Sequence, residues 1–174
     1  MDITDVILRQ HDEQRRMFSA LEEWPRDDHE GLDAVWKRLE ILLEVHAEAE
    51  ERYFYPELLR LGTGGADAES VDEEVEDAIH DHNKIREAVR DAAAQEPASP
   101  EWWEAVGRAR TENSKHIGEE EREALPDMRL NADTALLDEL GLRWLEYRAE
   151  HERVPDVPAE NKDADEYIAE HEPG

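Results

Sequence analysis

Two copies of one short motif place a histidine and a glutamate at helical spacing. Residues 46–56 read HAEAEERYFYP and residues 116–126 read HIGEEEREALP, which share the pattern H-x-x-x-E-E-R-x-x-x-P. Residues four apart lie on one face of a helix, so each copy directs an imidazole and a carboxylate the same way. The two pairs are His46 with Glu50 and His116 with Glu120. Imidazole and carboxylate together suit iron, manganese or zinc better than calcium or magnesium.

Two further histidines extend the motif into a longer repeat. His11 is followed four residues later by Arg15, and His82 is followed in the same way by Arg86. The two copies of each feature lie about 70 residues apart, and self-similarity at a fixed period indicates a structural unit that is used again. The chain is therefore predicted to be a helical hairpin used twice, with a histidine on the first helix and His-x-x-x-Glu on the second.

Five segments must position these residues, and each has the apolar periodicity of an amphipathic helix. The predicted helices cover residues 3–24, 32–61, 70–95, 100–125 and 133–151. Pro56 and Pro126 end the two motif copies and are expected to kink or end the regular part of their helices. Ser99 before Pro100 is typical of a capped helix start. No strand pattern is present, so the predicted fold class is all-α.

Each of the four long helices carries one histidine on its apolar stripe. In the third helix His82 is in phase with the stripe, whereas His80 is not, because two residues turn a helix by about 200°. The histidines that fail this test are assigned to the surface or to the tail: His29, His80, His151 and His171.

Six polar residues on apolar stripes require an explanation, because burying an unpaired polar group costs roughly 2–7 kcal/mol. They are His11, His46, Glu50, His82, His116 and Glu120. A single core histidine is more often hydrogen-bonded structure than a ligand, and His-x-x-x-Glu pairs also occur on the surface of glutamate-rich helices. The joint match of phase, spacing and flanking residues favours a metal. Six donors exceed the needs of one tetrahedral zinc, and two carboxylates that can each bridge indicate a dinuclear site.

The composition restricts the partners of the chain. Its 174 residues suit one domain, and the absence of cysteine excludes disulfides, Cys-ligated zinc and iron–sulfur clusters. A formal net charge of −28 argues against binding to nucleic acid or to an anionic membrane surface. No apolar run is long enough to span a membrane, and the acidic N-terminus does not resemble a signal peptide, so the expected location is cytoplasmic. The acidity fits either a salty habitat or a solvated surface that resists aggregation.

The last part of the chain differs in composition from the rest. Residues 153–174 are rich in proline, aspartate and glutamate and poor in apolar residues. Such a composition is typical of a disordered acidic tail. The predicted organisation is therefore a helical bundle over residues 1–152 and a tail over residues 153–174.

The ordered pattern H … H-x-x-x-E … H … H-x-x-x-E resembles the hemerythrin, or HHE cation-binding, family over residues 1 to about 150. Ferritin-like di-iron bundles use Glu-x-x-His instead. The resemblance implies an up-down-up-down four-helix bundle, here with an additional C-terminal helix, and two non-heme iron ions joined by an oxo or hydroxo group. By position, one iron would be held by His11, His46 and Glu50, and the other by His82, His116 and Glu120. Glu50 and Glu120 would bridge the two irons.

The chain departs from the oxygen-carrying members of this family. Those proteins have a fifth histidine one turn before the position of His82, where this chain has Ala78. They also end the last motif in a more widely spaced aspartate, where this chain has Glu120. Tyr53 follows Glu50 on the same face and is therefore a candidate to bind the cofactor, although a core tyrosine is the plainer interpretation. Neighbouring carboxylates are expected to face solvent mostly, with one of them a possible substitute ligand: Glu51, Glu119 and Glu121.

Without a fifth histidine, the metals would have more open coordination positions than in an oxygen carrier. Such positions favour redox reactions over the reversible carriage of dioxygen. The resulting hypothesis is a hemerythrin-like di-iron protein that binds or processes dioxygen, peroxide or nitric oxide, with zinc or manganese as less favoured metals. Its partner would be a small diatomic or peroxide ligand, and an enzyme class is not assigned.

Three alternatives stay open at this point. The protein could be a reversible dioxygen carrier or sensor without turnover. It could be a helical bundle held by structural zinc, which would be colourless. It could also be an interaction module whose acidic tail binds a basic partner.

Overall fold

The computed structural model describes residues 1–64, 70–152 and 160–171, and every regular element within these ranges is helical. The helices are α1 (Ile3–Glu23), α2 (His29–Ala49), α3 (Tyr55–Leu61), α4 (Val71–Ala93), α5 (Pro100–Arg122), α6 (Ala124–Asn131), α7 (Thr134–His151) and α8 (Ala164–His171). A π-helical segment, Glu50–Phe54, joins α2 to α3. None of the helices in the described ranges has the length and apolar character needed to cross a membrane.

Four long helical units form the bundle. The first is α1, the second is α2 with the π-helical segment and α3, the third is α4, and the fourth is α5 with α6. α1 packs against α2 and α4 packs against α5, so each predicted hairpin is present. The additional helix α7 packs on α1 and α2. These elements confirm the predicted all-α bundle with a further helix after it.

The core is divided into two apolar clusters along the bundle. One contains Ile7 of α1, Ile79 of α4 and Leu125 of α6. The other contains Phe18 of α1, Trp36 of α2 and Trp102 of α5. Within α1 and α4 the histidine lies between residues of the two clusters, as His11 does between Ile7 and Phe18. The buried polar side chains therefore form a layer between two dry regions.

The two motif prolines interrupt their helices just after the polar layer. Pro56 lies in the first turn of α3, directly after the π-helical segment. Pro126 lies in α6, after α5 has ended at Arg122 and Glu123 has left helical geometry. Proline has no N–H and its ring clashes with the carbonyl four residues earlier, so the backbone must rearrange before it. The predicted interruption is present in both copies.

Local caps fix several helix starts. The Ser99 hydroxyl accepts a hydrogen bond from the backbone N–H of Trp102, with Pro100 at the first helical position, as the sequence predicts.

Gly141 in α7 lies where the N-terminus crosses that helix. A Cβ at this position would overlap the carbonyl oxygen of Met1, which explains a glycine inside a helix.

Part of the acidic tail differs from the expected disorder. Residues 160–171 lie against the bundle, with α8 packed on α3 and α4, and the rings of Tyr167 and His171 stacked on each other. Tyr167 is buried, and the backbone of Lys162 exchanges two hydrogen bonds with the side chain of Asn83. These contacts with the bundle offset the entropy lost when the segment becomes ordered. The apolar residues of the segment alone would be too few to do so. Residues 153–159 and 172–174 lie outside the described residues, so the prediction of disorder there remains a prediction.

Candidate metal centre

The structure brings all six predicted ligands together at one level of the bundle. Each is buried, with at most 4 % of its surface exposed. Glu50 lies at the middle of the group. Its Oε1 is 2.9 Å from His46 Nε2 and 3.9 Å from His11 Nε2, and its Oε2 is 3.1 Å from His82 Nε2 and 3.8 Å from His116 Nε2. One carboxylate thus faces four imidazoles, two on each of its oxygens.

Two sets of donor atoms are compact enough to hold a cation. The first set is His11, His46, Glu50 and Glu120, and the second is Glu50, His82 and His116. Within each set the donor atoms lie within 4.8 Å of one another. Because Glu50 belongs to both sets, the geometry fits two cations with Glu50 between them.

Glu120 does not lie in the ligand group to which the sequence analysis assigned it. Its Oε2 is 3.2 Å from His11 Nε2 but 3.9 Å from His116 Nε2, the histidine of its own motif. It therefore completes the first set rather than the second. The second set is left with two histidines and the shared Glu50.

Four of these buried atoms have only one another as close polar partners. His46 Nε2 lies 2.9 Å from Glu50 Oε1, and His11 Nε2 lies 3.2 Å from Glu120 Oε2. In addition, His82 Nε2 and His116 Nε2 face each other at 3.0 Å. Polar atoms buried together are costly unless each has a partner, and a cation bound by the lone pairs of these atoms would satisfy all of them at once. The donor set therefore fits a metal, and the role of each residue as a ligand remains a prediction.

The far nitrogens of three histidines are fixed by other side chains. His11 Nδ1 lies 2.9 Å from Glu121 Oε1, and His46 Nδ1 lies 2.8 Å from Gln10 Oε1. His82 Nδ1 lies 2.7 Å from Glu51 Oε1. Since a carboxylate or amide oxygen can only accept, each Nδ1 donates, and the lone pair of each neutral ring is then on Nε2 at the centre.

The second glutamate of each motif copy links the two halves of the repeat. Glu121 of the second half accepts a hydrogen bond from His11 and forms an ion pair with Arg15 at 2.8 Å, and both partners belong to the first half. Glu51 of the first half accepts a hydrogen bond from His82 and binds Arg86 at 2.9 Å, and both of these partners belong to the second half. The repeated Glu-Glu and His-x-x-x-Arg spacings were the sequence signals for these contacts. Their pairing across the halves could not be inferred from spacing alone.

Glu51 is therefore not the solvent-facing carboxylate that the sequence suggested. Only 2 % of the residue is exposed. Burial alone would raise the pKa of its carboxyl, but His82, Arg86 and Lys162 outweigh burial and lower the pKa to about 2. Lys162 in the tail contacts both Glu51 and Glu48, and the Tyr167 hydroxyl donates to the Glu51 carbonyl. The tail therefore packs over Glu51, the residue that holds His82 Nδ1.

Tyr53 is the sequence-based candidate to bind the cofactor, and this role remains a prediction. Its ring lies half-buried against Tyr147, with 5.9 Å between ring centroids. Tyr55 is fully buried instead, and its hydroxyl donates to Glu120 Oε1 at 3.2 Å. The π-helical segment is the physical reason. The Tyr55 N–H bonds the Glu50 carbonyl five residues back, so the wider turn brings Tyr55 to the place that residue 54 would occupy in a regular helix, on the face of Glu50.

The charges of the centre are strongly coupled. Burial lowers the pKa of His82, but hydrogen bonds to Glu50 and Glu51 outweigh it and raise the pKa to about 9. Burial is likewise outweighed at His11, where Glu120 and Glu121 hold the pKa well above its usual value. At His46 burial dominates and the pKa is lowered. Without a metal, protons on His11 and His82 thus balance the buried carboxylates.

A cavity of about 200 Å³ reaches the centre beside the second donor set. Its wall includes His116, Glu120 and Ala78. Ala78 is the position at which oxygen-carrying proteins of the resembled family have a fifth histidine. His80 and His29 are exposed, as predicted, and neither belongs to a donor set in the described part of the chain.

Comparison with known proteins identifies the family. The model of the hemerythrin HHE cation-binding domain matches residues 2–128, which is most of the chain. The chain belongs to the hemerythrin HHE cation-binding family. All six predicted ligands lie within the matched residues of this HHE domain.

A solved structure supports the fold of the HHE domain. It is the crystal structure of a hemerythrin HHE cation-binding domain-containing protein, the Rv2633c homolog from Mycobacterium kansasii. The TM-score is 0.70 and the identity is 17 %, over 98 % of this chain and 99 % of the other. At that identity the likeness shows the fold alone. No curated protein matches the sequence.

Proposed function

We propose that this HHE-domain protein holds two non-heme iron ions and uses them to bind or process a small ligand such as dioxygen, peroxide or nitric oxide. The observation that carries the proposal is the buried convergence of four histidine Nε2 atoms and the carboxylates of Glu50 and Glu120 in two compact donor sets. Bound iron would supply open coordination positions and redox chemistry that the side chains lack. The incomplete second donor set favours ligand processing over pure carriage.

The residues of the chain have distinct tasks in this proposal. Four imidazoles would bind through Nε2, while Gln10, Glu51 and Glu121 hold the opposite nitrogens of three of them and so fix those rings. Glu50 would help to hold both ions, because it belongs to both donor sets. The Tyr55 hydroxyl orients Glu120. The two apolar clusters on either side exclude water, which protects the centre from unwanted proton and electron transfer.

Metal analysis and a visible spectrum of untagged protein test the proposal directly. About two irons per chain, with near-ultraviolet bands of oxo-bridged ferric iron, are expected. His46→Ala and His116→Ala should each lose much of the metal, whereas His80→Ala should keep it, because His80 is exposed. Retention of two irons by both ligand variants would contradict the proposed coordination. Bleaching or consumption of added peroxide would indicate processing, and stable spectra through oxygenation cycles would indicate a carrier or sensor.

One observation favours a second candidate. The first donor set has two histidines and two glutamates, which is a complete tetrahedral set for zinc. A structural zinc bundle would bind one zinc per chain and remain colourless. Chelation would then lower its melting temperature without changing any visible spectrum.

A further inference from the structure

An aromatic row, formed by Trp144, Tyr147 and Tyr53, begins beside one of the predicted ligands. The ring of Trp144 meets that of His46 edge to face, with 5.4 Å between the ring centroids. Trp144 is fully buried, and its Nε1 has no hydrogen-bond partner among the described residues. A buried indole N–H usually finds such a partner. Hydrogen bonding therefore does not explain an indole at this position, and its distinctive feature is the contact with the ring of a predicted ligand.

The aromatic row continues from Trp144 toward the surface. Tyr147 lies three residues further along the same helix, so its side chain is a neighbour of the indole. The ring of Tyr147 is 5.9 Å from that of Tyr53 and 4.2 Å from that of His151, and both of these residues are half-buried. The guanidinium of Arg52, whose side chain is 45 % exposed, lies 5.1 Å from the centroid of the Tyr147 ring. Packed rings thus connect a predicted ligand to partly exposed side chains.

A second aromatic contact of the donor sets does not lead outward in this way. The ring of Tyr55 lies 5.7 Å from that of His82 and 5.6 Å from that of Phe54. Both Tyr55 and Phe54 are fully buried. In the part of the chain that the structure describes, the ring contacts end there. The aromatic row is therefore distinguished by its outer end, and not by contact with a histidine alone.

A connection to the surface matters because apolar packing encloses the centre. The polar layer lies between two dry clusters, so a bound metal that changes its oxidation state must exchange electrons through the protein. Electrons tunnel between π systems in contact more readily than across gaps, and the rate falls steeply with distance. The indole of Trp144 has a proton to donate but no acceptor nearby. An electron can therefore pass this ring without a proton following it.

We infer that the aromatic row is the route by which single electrons pass from a donor at the surface to the first donor set. In each transfer the donor loses one electron and a ferric ion bound by His46 gains it and becomes ferrous. The rings mediate the transfer and end unchanged, and no proton moves. The inference rests on the proposed function, because it needs iron in the first donor set. It names the donor class as a one-electron reductant, since a hydride donor would have to touch the enclosed centre.

A tethered photoreductant tests the route directly. The chain has no cysteine, so one introduced cysteine is a single attachment point for a ruthenium polypyridyl complex. Glu150→Cys places the complex at an exposed position three residues beyond Tyr147. Glu101→Cys places it at an exposed position in the first turn of α5, whereas His116 lies near the other end of that helix. After a flash, the bleaching of the ferric bands gives the rate of electron arrival without any turnover.

Substitutions of single rings then change the route. Tyr147→Leu should slow reduction from the label at position 150 severalfold and leave reduction from the label at position 101 unchanged. Tyr147→Phe keeps the ring and removes only the hydroxyl, so it should retain most of the rate. Trp144→Leu should slow reduction from position 150 the most. Trp103→Leu alters a half-buried ring on the other apolar cluster and is the matched control, which should leave the rate from position 150 unchanged.

The outcomes separate the inference from the proposed function. Protein that takes up no iron overturns the proposed function and the inference with it. With iron bound, an unchanged rate from position 150 in Tyr147→Leu overturns the inference alone. Equal slowing from both labels would show that the substitution acts on the centre itself, and this result also overturns the route. If Trp144→Leu loses iron because the indole packs on His46, Tyr147→Leu decides, since Tyr147 lies one helical turn beyond the indole.

Discussion

His82 Nδ1 lies 2.7 Å from Glu51 Oε1, although the two residues belong to different halves of the internal repeat. The same relation joins His11 to Glu121 in the opposite sense. Each half thus supplies the group that orients the first histidine of the other half. The second relation is less buried, because Glu121 and Arg15 are partly exposed, whereas Glu51 and Arg86 are not.

Removal of Glu51 should weaken the second cation site. Glu51→Ala leaves His82 Nδ1 and Arg86 without their acceptor, and supporting carboxylates of this kind contribute about 10- to 100-fold to metal affinity. Glu121→Ala should have the smaller effect because its pair is more exposed. Metal affinity measured by chelator competition checks the order.

Glu119→Ala is the control for this comparison, since its carboxylate contacts exposed Lys115 rather than a candidate ligand. Glu51→Gln keeps an oxygen that can accept from His82 and should recover part of the loss. An equal affinity in Glu51→Ala and Glu119→Ala would show that the contact does not position His82.

The Tyr55 hydroxyl should influence the metal spectrum, and that of Tyr53 should not. Tyr55→Phe removes one buried hydrogen bond to Glu120, at a cost of about 1 kcal/mol in the free energy of unfolding. Without this donor, Glu120 would bind the metal more strongly through its oxygens, which should shift the visible bands of the iron-loaded protein. Tyr53→Phe changes a half-buried ring that packs on Tyr147 and is the matched control. A shift in the control alone would place the cofactor near Tyr53 after all.

Metal loading should become tighter as pH rises from about 6.5 to about 9. The pKa of His82 in the metal-free fold is raised to about 9, so its proton stabilises the metal-free protein fully below 6.5 and less as pH rises through 9. A metal must displace this proton, which gives about a tenfold gain in affinity per pH unit for each proton displaced. Cobalt(II) titrations across this range, with proton release followed by an indicator dye, measure the gain. Loading that does not change with pH would mean that His82 is already neutral or is not a ligand.

Lys162 should couple the tail to the bundle. Lys162→Met leaves the buried Glu48 and Glu51 without a shared cation. Residues 160–171 should then exchange their amide hydrogens faster, and the melting temperature of the metal-free protein should fall. Lys37→Met, which removes an exposed pair with Asp33 on α2, should do neither. Unchanged exchange in both variants would show that Lys162 does not hold the tail in place.

The sequence predicted the features that follow from a regular helical period. His46 and Glu50 share a face, His82 rather than His80 is buried, and Pro56 interrupts its helix, because each depends on spacing alone. Tyr55 could not be found this way, since the π-helical turn inserts an extra residue into the phase. Spacing also cannot reveal partners from distant segments, which is why the burial of Glu51 was missed.

The tail illustrates the same limit. Residues 160–171 contain few apolar side chains, and composition correctly indicates that they cannot form a core of their own. Their order depends on the bundle surface, where Asn83, Glu48 and Glu51 present partners to Lys162. A partner surface of that kind is not visible in a local window of sequence.

The exchange of supporting glutamates between halves makes the chain indivisible at its own repeat boundary. A cut between α3 and α4 would give two pieces with one hairpin in each, yet each piece would carry a histidine whose acceptor is on the other. Neither fragment could fix that ring by itself. Reassociation of the two fragments would restore both contacts.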